Sequence, residues 1–252
     1  CGAGSSCGNA VSRSDLAAIT LDGTLDSWGP VPSGGRSGTW VRALAVQGTT
    51  VYVGGNFTSM GGVTHRGLAA VDADGMVDNS WSPSVTGGYP DVQEVVPSPD
   101  GTTLYLGGDF TTINASTRNY LGAVNVSDGS TTSWNPNPDA KIWGIAASDS
   151  TIYATGEFST VCGAGSSCDQ TAQPRMRFAA FGSDGTLKSW NPNTNGGGYL
   201  NTISIAGSTM YVGGNFSVVG AASRQRLAAV DASGELPSWN PCANNQVNAL
   251  VV

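Results

Sequence analysis

Short alternating runs carry the hydrophobic pattern of this chain, each closed by glycine or a polar turn, and no long stretch has helical spacing. The run TVYVGGNFTSMGG at 50–62 sets apolar and aromatic residues around a glycine pair. Nearly the same text returns as TLYLGGDFTTI at 103–113, TIYATGEFSTV at 151–161 and TMYVGGNFSVVG at 209–220. Period-two alternation bounded by turn residues predicts β-strands, and a glycine pair inside a strand predicts a bulge or a close backbone approach.

The run belongs to a longer repeat. Aligned on Ser-Trp, the chain repeats at Trp28, Trp81, Trp134, Trp190 and Trp239, with spacings of 53, 53, 56 and 49 residues. Each unit predicts four strands. Strand A is VRALAV (41–46), VQEVV (92–96), KIWGIA (141–146), LNTISIA (200–206) and VNALVV (247–252). Strand B is the glycine-pair text, strand C the LAAV-like run, and strand D leads into Ser-Trp. A lone four-stranded sheet cannot bury both faces, whereas sheets packed around an axis can, so the expected fold is an all-β propeller of four-stranded antiparallel blades. Ala69-Ala70, Ala179-Ala180 and Ala228-Ala229 suit close sheet approach. Residues 1–252 read as a single propeller domain with a partial last unit at 240–252. Strands A, C and D occur five times and strand B four times, which predicts five blades with one lacking strand B; the alternative is a slice of a larger propeller.

Charge and cysteines narrow the function. The net charge is −7, no Lys/Arg cluster opposes it, and nucleic acid is therefore not an expected partner. No run of about 18 apolar residues is present, so no membrane insertion is expected. No signal peptide is visible, and a secreted form would have lost it. CGAGSSC occurs twice, bracketed by Cys1 and Cys7 and by Cys162 and Cys168, with Cys242 left over. Small residues between the cysteines allow a short ring to close, which predicts two local disulfides and an extracellular or cell-surface location. A metal site competes with that reading, but the chain has one histidine.

The segment GGNFTSMGGVTHRGLAAVDADGMVDNSW at 54–81 resembles the bacterial delta-60 repeat β-propeller family, with its GG-x-F-T core, G-x-x-R-x-x-L-A and D-G-x-x-D-x-S-[FW]. The resemblance covers nearly the whole chain. It implies the propeller fold and a place in large secreted or surface proteins, without an assigned chemistry.

Candidate binding residues follow the repeat. Trp28, Trp81, Trp134, Trp190 and Trp239 could stack on sugar rings while Asn135, Asn191 and Asn240 bind hydroxyls; inter-blade packing and Asn-Pro turns are the competing roles. Arg13, Arg118, Arg175 and Arg224 precede strand C at one repeat position, with His65 in that place in the remaining unit. Their planar forks could grip carboxylates or hydroxyls, or tie each unit to its own carbonyls. DADG at 72–75 hints at calcium but lacks further ligands at set spacing, so no cofactor is expected. Asn56, Asn114, Asn125 and Asn215 lie in N-x-[ST] sequons. No catalytic motif is evident, although a carboxylate pair could lie among Asp91, Glu94, Asp109 and Glu157. The expected function is a non-enzymatic secreted binding or adhesion module for a glycan or cell-surface polymer. The alternatives are a structural subunit or spacer of an extracellular assembly that binds copies of itself, with the open edge available for strand addition, and a polysaccharide lyase or hydrolase.

Overall fold

The computed structural model describes residues 11–163, 172–194 and 198–252, and among these the chain is all-β with no helix. Four antiparallel sheets repeat along it, each with strand B central between A and C. The first holds Val41–Gln47, Thr50–Gly55 and Leu68–Val71. The second holds Asp91–Pro97, Thr103–Asp109 and Leu121–Asn125. The third holds Ile142–Ser148, Thr151–Gly156 and Phe178–Gly182, and the fourth Leu200–Ala206, Thr209–Gly214 and Leu227–Asp231. Between B and C of each unit lies a short hairpin, such as Ser59–Met60 with Val63–Thr64.

Strand D differs from expectation. In the first three sheets it touches the ladder through a single bridge, at Val71↔Val77, Val124↔Thr131 and Phe181↔Leu187. After the first sheet an aspartate turns the chain away, and after the second Thr132 does, its hydroxyl accepting the backbone N–H of Trp134 at 3.2 Å. Asp78 accepts the backbone N–H of Ser80 at 2.9 Å and of Trp81 at 3.3 Å, and Asp26 accepts that of Trp28 at 2.8 Å. That turn drives the indole inward. The segment 247–252, expected as a fifth strand A, carries no strand either. Val247 nevertheless sits against Gly213 as Val92 sits against Gly54 and Ile142 against Gly107.

The core lies between sheets rather than within one. One buried cluster joins Tyr52, Leu68 and Trp81 to Val92, Val95 and Leu104, and equivalent clusters join the second sheet to the third and the third to the fourth. The glycine pair makes this packing possible. A Cβ on the first glycine, Gly54, would stand 2.8–2.9 Å from Val95 and Val92 of the next sheet. The second glycine accommodates a bulge in its own strand A: a Cβ on Gly108 would fall on the carbonyl oxygen of Asp91. The third unit tests this logic. Thr155 replaces the first glycine and is fully buried, and its cross-strand partner is Gly144, where the sister sheets carry Ala43, Glu94 and Thr202. The side chain is moved across the strand pair and the space is conserved.

The tryptophans tie neighbours together. The indole N–H groups of Trp28, Trp134 and Trp190 donate to carbonyls of Asp72, Gly182 and Asp231 at 2.9–3.0 Å, and that of Trp81 to Asn125 at 3.3 Å. Each acceptor lies at the end of the next unit's strand C. The rings also pack edge-on against the strand-B tyrosines, Tyr105 on Trp134 at 5.0 Å and Tyr153 on Trp190 at 5.0 Å. Trp134→Phe keeps most of the apolar contact and strands the Gly182 carbonyl, so urea denaturation is expected to show a loss of about 1–3 kcal/mol with binding unchanged.

Candidate functional site

The bulges locate the site. In each sheet the A–B register shifts at one residue, and the extra residues are Arg42, Gln93, Trp143 and Asn201. A bulge releases its residue from the ladder and re-aims the side chain, which is why bulges gather at binding sites. The surrounding text is repetitive, yet these positions differ in every unit. So do the residues just before each bulge pair, Trp40, Asp91, Lys141 and Tyr199, whereas the position after the glycine pair holds Asn56 and Asn215 in two units and Asp109 and Glu157 in the others.

These variable residues converge at one end of the first three sheets. Those of the first three sheets, Glu157 excepted, line a cleft of about 530 Å³ whose walls include Trp40, Tyr89 and Trp143. Trp40 is 49% exposed and Tyr89 68% exposed. Each ring carries a cation: Arg42 lies 5.2 Å from the Trp40 centroid, Arg36 4.7 Å from Tyr89 and the Lys141 ammonium 4.9 Å from Trp143. The carboxylates interleave with them. Asp91 pairs with Arg42 at 3.3 Å and accepts from Gln93 at 2.8 Å, both on Oδ2, while Asp109 stands 3.9 Å from Lys141. Asp91 Oδ1 is buried with no partner. The Trp143 indole donates to Glu157 at 3.2 Å, which fixes the ring.

A second cavity, about 700 Å³, adjoins the first and shares Arg42, Gln93 and Trp143 with it. Its remaining lining is rich in carboxamides, with Asn201, Gln246 and Asn248, together with Glu94 and Glu157. Glu94 is pushed up to about 7 by desolvation, with no charged partner to oppose it. Asp91 is also raised, first by burial, although Arg42 acts against the shift.

The residues singled out by the repeat lie elsewhere. Trp28, Trp81, Trp134 and Trp190 are buried with their N–H groups engaged between sheets, which leaves no open face for a sugar. Trp239 alone of that series is substantially exposed, at 43%, packed on Tyr211. Asn191 and Asn240 are exposed, whereas Asn135 is half-buried with a buried, unpartnered Oδ1. Arg13, Arg175 and Arg224 donate to the carbonyls of Asp26, Lys188 and Pro237 at 2.8–3.0 Å, and Arg118 donates to Thr132. These arginines tie the strand-C entry to strand D within each unit. His65 takes their place in one unit, buried with both ring nitrogens unpartnered. Asp72, the first residue of DADG, accepts the N–H groups of Asp74 and Met76 with its own Oδ1. The sequon amide of Asn56 is held by Trp40 N and Gly38 O. Cys242 is free and exposed. Cys1, Cys7 and Cys168 lie outside the described residues, and with them both expected disulfides.

The four carboxylates Asp91, Glu94, Asp109 and Glu157 are the candidates that the structure does bring together, across two adjoining cavities. Trp40, Tyr89 and Trp143 were missed in sequence. Their signal was available: they are tryptophans and a tyrosine outside the repeat positions, beside a glycine-pair bulge.

No curated protein matches this sequence. Among solved structures, the computationally designed Ika4 protein is similar at 12% identity and a TM-score of 0.45, over 71% of this chain and 88% of that one. Residues 50–80 match the model of a β-propeller family described as a domain of unknown function, DUF5122.

Proposed function

We propose that this chain is a non-enzymatic binding module on a secreted, surface-exposed β-propeller, and that its ligand is carbohydrate. The four sheets and the flanking segments 16–28 and 247–252 are read as five blades, one without strand B, of the delta-60 repeat type, stabilised by disulfides at Cys1–Cys7 and Cys162–Cys168. The observation that carries the reading is the cleft with three accessible aromatic walls and interleaved ion pairs. Flat rings cover the C–H face of a sugar, and the Arg42–Asp91 and Lys141–Asp109 pairs offer donors and acceptors to its hydroxyls.

A glycan array followed by titration tests this. Saturable binding that falls at least about 30-fold in Trp40→Ala, equivalent to ~2 kcal/mol, is the expected result. Silence across the array, from protein with an intact thermal transition, would remove it. A second reading rests on one observation. Leu44 and Val46 are 55% and 69% exposed, although Val95 and Ile145, the counterparts of Leu44, are buried on the preceding sheet. Such an uncovered apolar sheet face favours packing against another chain, and light scattering distinguishes the two: a monodisperse monomer counts against assembly.

A further inference from the structure

We infer that the ligand is an extended neutral oligosaccharide chain, bound from the aromatic cleft through to the carboxamide-lined cavity, with Arg42, Gln93 and Trp143 as the wall the two share. This rests on the carbohydrate reading above and deepens it. The first support is continuity: the same three bulge residues line both cavities, so the two are neighbours on one surface. The second is size. Volumes of about 530 and 700 Å³ each fall in the range of about 300–1,000 Å³ that holds a whole small ligand, so a single sugar ring fills neither.

The third support is the change of lining. The cleft presents rings and ion pairs, whereas the second cavity presents amides already organised among themselves. Asn201 Nδ2 donates to Asn248 Oδ1 at 3.2 Å, and Gln246 Nε2 donates to the same oxygen at 2.8 Å. Carboxamides both donate and accept, which suits rows of hydroxyls. Charge argues for a neutral chain. Arg36, Arg42 and Lys141 are answered by Asp91, Glu94, Asp109 and Glu157, so the two cavities together have no cationic excess for an acidic polymer. The overall charge of −7 acts in the same direction. Trp143 stands on the shared wall with its indole N–H fixed by Glu157, positioned for a sugar that crosses from one cavity to the other.

The test is calorimetric titration of the full chain with β-1,4-linked cello- and chito-oligosaccharides, as disaccharide, tetrasaccharide and hexasaccharide. Affinity is expected to rise at least about tenfold from disaccharide to hexasaccharide, or ~1.4 kcal/mol. That advantage is expected to disappear in Asn201→Ala and in Gln246→Ala. The second variant matters because Asn201 also holds the carbonyl of Val247 at 3.2 Å. Affinity that is flat with chain length, or a length advantage untouched by both variants, would overturn the extended-chain inference and leave the cleft as a small-glycan site. No binding at any length would overturn the inference for these chains, while the glycan array decides the carbohydrate reading separately.

Discussion

Replacing Gly108 with alanine is expected to destabilise the protein by about 3 kcal/mol or more, at the upper end of what overpacking costs. The new methyl would fall on the backbone oxygen of Asp91 and lie 3.0 Å from the backbone nitrogen of Gln93, neither of which can swing aside as a side chain would. Nor can strand A retreat, since Val92 packs against Gly54 of the preceding sheet. Gly207→Ala provides the contrast. A Cβ there meets nothing within 4 Å, and only the left-handed φ of 58° resists it, at about 1 kcal/mol. Urea midpoints of the two variants read the difference directly. Equal midpoints would mean that the glycine pair is not what holds the bulge.

Glu94→Gln is expected to change how stability depends on pH. Burial raises the carboxyl to about 7 from an ordinary 4.5, so between those values the folded chain holds a proton that the unfolded chain has released. Stability from this group therefore falls as pH rises from about 4.5 to 7 and is constant above, a total of roughly 3 kcal/mol at 1.36 kcal/mol per unit. The glutamine variant lacks the slope and is expected to be the more stable protein at pH 8 by about that amount. Aspartates such as Asp78 and Asp139 act in the opposite sense. Their carboxyls are lowered in the fold, so their contribution is present above the ordinary carboxylate range and lost as the pH falls. Subtracting the variant's curve from that of the parent isolates Glu94, and parallel curves would show that the carboxyl is solvated.

How much of this was legible in the sequence depends on what period two can carry. The strand-B text gave the sheets, because Tyr52, Val53 and Phe57 are buried for the same reason in every unit and selection of shape repeats them. The tryptophan series was equally visible, and the inward turn follows from an aspartate two or three residues earlier at Trp28 and Trp81 and from Thr132 at Trp134. Strand D was over-read. Ser-Trp resembles a strand end, but in the first sheet the same Asp78 that positions the Trp81 indole takes the backbone out of the ladder. The site was hidden for a different reason. Arg42, Gln93 and Trp143 occupy positions that a two-residue period treats as ordinary strand, and only the backbone shift imposed by the second glycine sends them outward. Likewise Asp91, Glu94, Asp109 and Glu157 come from two units, and no spacing along the chain reports that two sheet ends meet.

The ligand is expected to meet the variable tryptophans and not the repeated ones, and the indole N–H resonances of the chain's seven tryptophans report which set it touches. Heteronuclear NMR during titration with a bound glycan is expected to shift the signals of Trp40 and Trp143. Those of Trp28, Trp81, Trp134 and Trp190, enclosed between sheets, are expected to stay in place. Movement of the enclosed set or of Trp239, with Trp40 and Trp143 unchanged, would contradict the account and return the site to the Ser-Trp repeat.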